Sequence, residues 1–110
     1  MKITQEKCND VTVCNVEGEI NITTSTELRK NFDALLRDKV NKVIVDLTAV
    51  SYIDSSGLAT LIELFQRLKK TGGHMRFTGM SQKIRNIFEI TKLHKLFEIC
   101  DTREAALQNF

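Results

Sequence analysis

Proline is absent from the 110 residues of this chain, and no segment is of low complexity or repeats another. Linkers between domains are commonly rich in proline, glycine or serine. The sequence therefore offers no obvious place to divide the chain, and its length suits one domain with a single core. We predict one domain over residues 1–110.

Long apolar runs are also missing. The N-terminal segment from Met1 to Lys7 lacks the apolar stretch of a signal peptide. No later segment approaches the roughly 18 consecutive apolar residues of a membrane span. We therefore expect a cytoplasmic protein that has no membrane partner.

Cysteine is scarce, and Cys8, Cys14 and Cys100 form no C-x-x-C pair. An odd number leaves at least one thiol unpaired, so the sequence indicates neither a disulfide framework nor a zinc site. We expect buried thiols that behave as small hydrophobic side chains.

The motifs of several enzyme classes are missing as well. No G-x-x-x-x-G-K or G-x-G-x-x-G segment could cradle a phosphate, so we expect no cofactor. A serine hydrolase needs a base, but His74 and His94 have surface-type neighbours, and no G-x-S-x-G elbow occurs. A phosphoaspartate receiver would use Asp46 or Asp54, yet the first strands lack the acidic cluster that holds magnesium. We interpret Asp46 as a strand-end cap or an ion-pair partner.

Hydrophobic residues make up 42% of the chain and charged residues 27%, and the formal net charge is +2. These values are typical of a globular protein and not of a disordered one. Lys and Arg are interleaved with Asp and Glu along the chain. The charge pattern therefore indicates no nucleic-acid surface.

The hydrophobic pattern predicts alternating strands and helices after an opening pair of strands. Strands are expected at residues 3–7, 11–16, 43–47, 75–78 and 96–100. Helices are expected over 24–38 and 56–70, after Ser81, and as a last turn or two after Thr102. Strand–helix–strand order implies parallel pairing with right-handed crossovers. The predicted fold is α/β, a mixed sheet of four to five strands with three to four helices packed on it.

Turn and cap signals mark several of these boundaries. Asn9-Asp10 suits a turn between the first two strands, and Gly18-Glu19-Ile20-Asn21 is predicted to be a loop. Thr24 and Glu27 have the spacing of a capping box. Gly72-Gly73 predicts the end of the helix over 56–70.

The segment from Tyr52 to Leu58 joins an apolar strand to an amphipathic helix, with Asp54, Ser55 and Ser56 at the junction. Asp and Ser are favoured N-caps because their side-chain oxygens accept from the unpaired N–H groups of a first helical turn. The same N–H groups and the helix dipole favour an anion such as phosphate. A serine here is either only a cap or also a phosphoacceptor. Physical reasoning alone does not choose between Ser55 and Ser56.

The segment Ile53-Asp54-Ser55-Ser56-Gly57-Leu58, with Gly18-Glu19-Ile20-Asn21 before it and Gly72-Gly73 after it, resembles the STAS domain of bacterial anti-sigma factor antagonists. The order and spacing of these segments match over nearly the whole chain. The resemblance implies the STAS fold and a binding protein without catalysis of its own. It also implies a cycle in which the unphosphorylated protein binds an anti-sigma factor that is a serine kinase, which frees a sigma factor. The kinase then phosphorylates the antagonist, and a metal-dependent serine phosphatase restores it.

Carried over by position, the resemblance makes Ser55 the phosphorylated residue, with Asp54, Ser56 and Gly57 as its motif neighbours. It places the partner-binding surface at Glu19, Ile20, Asn21, Thr23 and Leu58. Two positions depart from the family pattern, since Asn21 replaces a usual aspartate and Ala59 stands where a second glycine is common. The first change bears on how a kinase engages the site.

Two other interpretations stay open. A STAS protein can act as a scaffold in a stress-signalling assembly or beside a membrane transporter, and Ser55 would then be only a cap. A receiver-like phosphotransfer protein is the enzymatic alternative. Incubation with an anti-sigma kinase and ATP separates them, because a phosphoserine is stable to alkaline hydroxylamine and an acyl phosphate is not.

Overall fold

A computed structural model describes all residues from 1 to 110. In chain order the elements are β1 (Lys2–Cys8), β2 (Val11–Ile20), α1 (Ser25–Arg37), β3 (Lys42–Ile53), α2 (Ser55–Lys70), β4 (His74–Thr78), α3 (Gln82–Ile90), a 3₁₀ turn (Leu93–Lys95), β5 (Glu98–Cys100) and α4 (Arg103–Leu107). The five strands form one sheet in the order β1-β2-β3-β4-β5. The β1–β2 pair is antiparallel, and every other neighbouring pair is parallel. The predicted mixed α/β sheet is confirmed.

Successive side chains along each strand point to opposite faces of this sheet. On one face Cys14 and Val45 belong to the main core, which α1, α2 and α3 cover. On the other face the paired residues Val13 and Ile44 form a smaller cluster with Ala106 of α4. The sheet is therefore covered on both sides. None of the helices, of which α2 is the longest at 16 residues, could span a membrane.

Strands β2 and β3 run further than the hydrophobic pattern predicts. The predicted loop at Gly18-Glu19-Ile20-Asn21 is wrong for its first three residues because β2 continues to Ile20 beside β3. Two register shifts in this pairing break the alternation by which a strand is recognised. Gly18 has a φ of 103°, which favours glycine. Strand β3 likewise passes its predicted end at Leu47 and reaches Ile53.

Helix α1 begins directly after Thr24, but the predicted capping box does not form. The Thr24 side chain makes no capping hydrogen bond. Its hydroxyl donates to the carbonyl oxygen of Glu19 at 2.8 Å and accepts from the Asn21 N–H at 2.9 Å. Thr24 thus fastens the turn between β2 and α1. Ser81, by contrast, caps α3 as predicted, because its hydroxyl accepts from the Ile84 N–H at 3.2 Å.

The three cysteines are all free thiols, but only Cys14 is fully buried. Cys8 and Cys100 are partly exposed, so the expectation of buried thiols is wrong for these two. Burial raises the pKa of the Cys14 thiol to about 12. Cys14 therefore behaves as the small hydrophobic side chain that the sequence predicted.

Candidate functional site

Helix α2 begins at Ser55, directly after the end of β3, and Asp54 is its N-cap. The Asp54 Oδ1 accepts a hydrogen bond from the Gly57 N–H at 3.1 Å. Ser55 is exposed in the first turn, whereas Ser56 is half-buried. Because Asp54 supplies the cap, the Ser55 hydroxyl is not needed to hold the helix, and it lies at the positive end of the α2 dipole.

Gly57 lies where α2 meets the ends of β2 and β3. A Cβ at this position would come within 2.6 Å of Cγ2 of Ile20 and 2.9 Å of Cγ2 of Ile53. It would also lie 3.0 Å from the Ile20 carbonyl oxygen. Close-packed interiors do not accommodate such approaches without movement. The missing side chain therefore allows α2 to start directly against both strands.

Asp54 also holds the turn between β2 and α1 against the start of α2. Its Oδ2 accepts from the Ile22 N–H at 3.2 Å, and its own N–H donates to the Ile20 carbonyl oxygen at 3.0 Å. One carboxylate thus connects the first turn of α2 to the turn that follows β2. Ile20 and Ile22 are therefore hydrogen-bonded to the residue that directly precedes Ser55.

Asn21 organises this turn. Its Oδ1 accepts from the N–H groups of Thr23 at 3.0 Å and Thr24 at 3.1 Å. Asn and Asp side chains both form such bonds to their own following backbone. The neutral amide therefore holds the turn without placing a further negative charge near Asp54.

The predicted partner contacts divide by exposure. Glu19 and Thr23 are exposed and Asn21 is half-buried, so these three are available to a partner. Ile20 is fully buried and Leu58 is 9% exposed, and both pack in the main core. The end of β2 and the first turn of α2 direct the Ile20 and Leu58 side chains inward, so these two predicted contact residues are not exposed to a partner.

Sequence reasoning missed Ile22, whose side chain is 75% exposed. Isoleucine is among the residue types most often found fully buried. The available signal was a single apolar residue in the polar run from Asn21 to Thr26, which has no strand or helix periodicity. The sequence analysis assigned Ile20 to the partner-binding surface, but in the turn after β2 the exposed isoleucine is Ile22.

Asp46 belongs to a different cluster on the sheet face opposite α2. It lies inside β3 and not at its end, and the predicted ion pair forms with Arg103 at 2.9 Å. Burial raises the pKa of Asp46, but hydrogen bonds from Thr48 and Arg103 outweigh this effect and hold the pKa below its usual value. No three His, Cys, Asp or Glu side chains are grouped so that they could hold a metal ion. The acidic cluster that a receiver requires is not formed.

Neither histidine is placed to activate a serine. The His94 Nδ1 lies 3.3 Å from the Phe88 carbonyl oxygen, and the His74 ring is edge-on to Phe110. The site at the start of α2 thus combines an exposed hydroxyl with a helix N-terminus and contains neither histidine.

A sequence profile of one protein family, the STAS domain, matches residues 2–106. The chain belongs to the STAS domain family. This STAS domain is 32% identical over 100 residues to the anti-sigma-B factor antagonist of Bacillus subtilis, covering 91% of this chain and 90% of that relative. It is 31% identical over 101 residues to the anti-sigma-B factor antagonist of Staphylococcus aureus, covering 92% of this chain and 91% of that relative.

Solved structures share the STAS fold. An anti-sigma factor antagonist from Mycobacterium paratuberculosis has a TM-score of 0.88 at 28% identity, covering 96% of this chain and 90% of that one. The Bacillus protein SpoIIAA has TM-scores of 0.73 in its unphosphorylated form and 0.74 in its phosphorylated form. The unphosphorylated form is 19% identical, and the match covers 94% of this chain and 92% of SpoIIAA. The phosphorylated form is 18% identical, and the match covers 96% of both chains. The fold of this chain is thus equally similar to both forms.

Proposed function

We propose that this STAS domain is a cytoplasmic anti-sigma factor antagonist controlled by phosphorylation. The unphosphorylated protein binds an anti-sigma factor with serine kinase activity and thereby frees a sigma factor. That kinase phosphorylates Ser55, which ends binding, and a metal-dependent serine phosphatase restores the unmodified serine. The STAS domain itself catalyses no reaction and uses no cofactor.

The observation that carries the proposal is the separation of two tasks between adjacent residues. Asp54 caps α2 through the Gly57 N–H, and Ser55 is exposed beside it. Ser55 can therefore be modified without the loss of a helix cap. A scaffold in which Ser55 serves only as the cap lacks this support, because Asp54 already has that task. The names of the relatives in Bacillus subtilis and Staphylococcus aureus support the antagonist function.

The expected switch acts at the interface and not on the fold. A phosphate on Ser55 adds about −1.5 to −2 charges next to Asp54. Within the domain, the N-terminus of α2 offsets part of the repulsion, by about 0.3–1 kcal/mol at an exposed site. At an interface the same charge must be desolvated or matched, and each ~1.4 kcal/mol lost lowers affinity tenfold.

The proposal is tested by incubation of the wild type, Ser55→Ala and Ser56→Ala with ATP and a cognate anti-sigma kinase. We expect the wild type and Ser56→Ala to be labelled, Ser55→Ala to remain unlabelled, and the label to resist alkaline hydroxylamine. Labelling of Ser55→Ala at the wild-type rate would contradict the assignment. A hydroxylamine-labile label would favour the receiver interpretation, and binding without any labelling would favour the scaffold.

A further inference from the structure

The turn between β2 and α1 presents one large apolar side chain, that of Ile22, beside the phosphoacceptor site. A single exposed isoleucine is ordinary on a protein surface. Ile22 differs from an ordinary exposed isoleucine in the hydrogen bonds that hold its backbone. Its N–H is bound by Oδ2 of Asp54, whose Oδ1 caps α2 through Gly57. The backbone of Ile22 is therefore held in a fixed position relative to the first turn of α2, where Ser55 lies.

Other hydrogen bonds hold the turn on both sides of Ile22. The Asn21 Oδ1 accepts from the N–H groups of Thr23 and Thr24, and the Ser25 hydroxyl donates to the Ile22 carbonyl oxygen at 3.3 Å. The Ser25 N–H donates to the Asn21 carbonyl oxygen at 2.8 Å. Both backbone polar groups of Ile22 are thus bonded while its side chain is exposed. A contact residue ordered before binding loses little conformational entropy when it binds.

We propose that Ile22 is the apolar anchor of the partner interface and that Asp54 positions it. This inference rests on the proposed function, so the partner is the anti-sigma factor, and its surface provides an apolar pocket for the isoleucine side chain. Interfaces draw most of their binding energy from a few residues that fill such pockets. Ile22 then supplies affinity, and Ser55 supplies the switch.

The kinase activity of the partner is the reason to place this anchor in its interface. A kinase that modifies Ser55 must bring its active site to the start of α2. Its surface then covers the residues that adjoin this helix turn, and Asp54 makes Ile22 one of them. An isoleucine side chain carries no charge and stays unchanged when Ser55 is phosphorylated.

The chain offers a matched control in Ile90, which is 79% exposed compared with 75% for Ile22. Ile90 is the last residue of α3. Since β4 and β5 are parallel, α3 runs back toward the sheet edge where the strands begin, and Ile90 lies away from the start of α2. Replacement of either residue by alanine removes the same atoms from a similarly exposed position.

The test is calorimetric titration of an anti-sigma factor with the wild type, Ile22→Ala and Ile90→Ala. We expect Ile22→Ala to raise the Kd at least about tenfold and Ile90→Ala to change it less than about twofold. Equal effects of the two substitutions would overturn the anchor assignment.

The positioning role of Asp54 is tested by a double-mutant cycle with Ile22. Asp54→Ala is expected to weaken binding in the wild-type background and to have a clearly smaller effect in the Ile22→Ala background, because Asp54 acts through Ile22. Melting temperatures of the same variants monitor the loss of the helix cap. Fully additive changes in the free energy of binding would overturn the positioning role of Asp54. The anchor role of Ile22 is judged separately, from the Ile22→Ala titration alone.

Failure of this inference is distinguishable from failure of the proposed function. If the wild type binds the anti-sigma factor and Ser55→Asp does not, the switch holds. Equal binding by Ile22→Ala and Ile90→Ala would then reject only the anchor. If the wild type itself does not bind, the proposed function is rejected together with the anchor.

Discussion

Three positions at the start of α2, Asp54, Ser55 and Gly57, have different physical tasks. Asp54 forms one hydrogen bond into α2 and another to the turn after β2. Gly57 has no side chain at the point where the helix contacts Ile20 and Ile53. Ser55 is exposed between them and takes part in neither task. A modification of Ser55 therefore changes the charge of the surface while the junction beneath it stays in place.

The packing of Gly57 is tested by Gly57→Ala. The new Cβ would meet Cγ2 of Ile20 at 2.6 Å, so either the side chain or α2 must move. Overpacking of this kind costs about 1–3 kcal/mol of the free energy of unfolding. Urea denaturation measures this loss. Ser55→Ala in the same helical turn is the control and should change the free energy of unfolding by less than about 0.5 kcal/mol. Equal stability of the two variants would show that the junction has room for a side chain.

At the scale of the residue, the sequence predicted the start of α2 but could not assign each task. The segment Asp54-Ser55-Ser56 contains three good capping residues, and only the extended backbone of Asp54, with φ −99° and ψ −175°, identifies the cap. The sequence also did not reveal that Ile22, and not Ile20, is the exposed isoleucine, and the cause is similar. Register shifts in β2 decide which side chains point inward, and the sequence does not display them.

Helix α4 is an element of only five residues, and polar contacts fasten it to the sheet. Arg103 at its start pairs with Asp46 of β3 and with Glu6 of β1. It also donates to the Asn15 side chain of β2. One guanidinium group therefore connects α4 to three strands.

The contribution of this contact is tested by Arg103→Ala. The substitution leaves the Asp46 carboxylate, 11% exposed, without its charged partner. We expect a loss of about 1.5–3 kcal/mol of the free energy of unfolding at pH 7, the range for hydrogen bonds to charged groups. The Asp46 pKa is lower in the folded state, so its contribution is complete above the unfolded pKa of about 3.9 and is lost as the pH falls through the folded value. Chemical denaturation of both proteins at neutral and acidic pH should therefore show a difference that shrinks on acidification.

Arg85→Ala provides the matched control for Arg103. Arg85 pairs with Asp101, whose side chain is 90% exposed, so its removal should cost less than about 1 kcal/mol. If Arg103→Ala lowers the free energy of unfolding no more than Arg85→Ala does, the role assigned to the pair of Arg103 and Asp46 is contradicted. A loss that does not depend on pH would contradict it as well.

At the scale of the element, hydrophobic periodicity predicted the order of strands and helices, and hydrogen bonding decided the details. Ser81 caps α3 as the sequence indicates because no other group competes for its hydroxyl. Thr24 has equally good capping chemistry, but its hydroxyl is bound to Glu19 and Asn21. The outcome at Thr24 depends on the extended end of β2, which the irregular register concealed.

At the scale of the whole molecule, the parallel pairing of β2 with β3 creates the site. Strands β2 and β3 are parallel neighbours, and Ile20 at the end of one is paired with Ile53 at the end of the other. The residues that follow these strands, Ile22 and Asp54, therefore meet at one edge of the sheet although they are distant in sequence. Binding sites in parallel sheets commonly lie outside the carboxyl ends of the strands. Strand–helix–strand order predicted the parallel pairing from the sequence, whereas the contacts at this edge required the structure.

The central claim is that charge at Ser55 blocks the partner while the domain stays folded. It is tested most directly by titration of an anti-sigma factor with the wild type, Ser55→Asp and the neutral, similarly shaped Ser55→Asn, with melting temperatures measured for all three. We predict that Ser55→Asp raises the Kd at least about tenfold relative to Ser55→Asn, and that its melting temperature stays within about 2 °C of the wild type. Binding by Ser55→Asp as tight as that of the wild type, or weakened binding that accompanies an equally large loss of thermal stability, would contradict the claim.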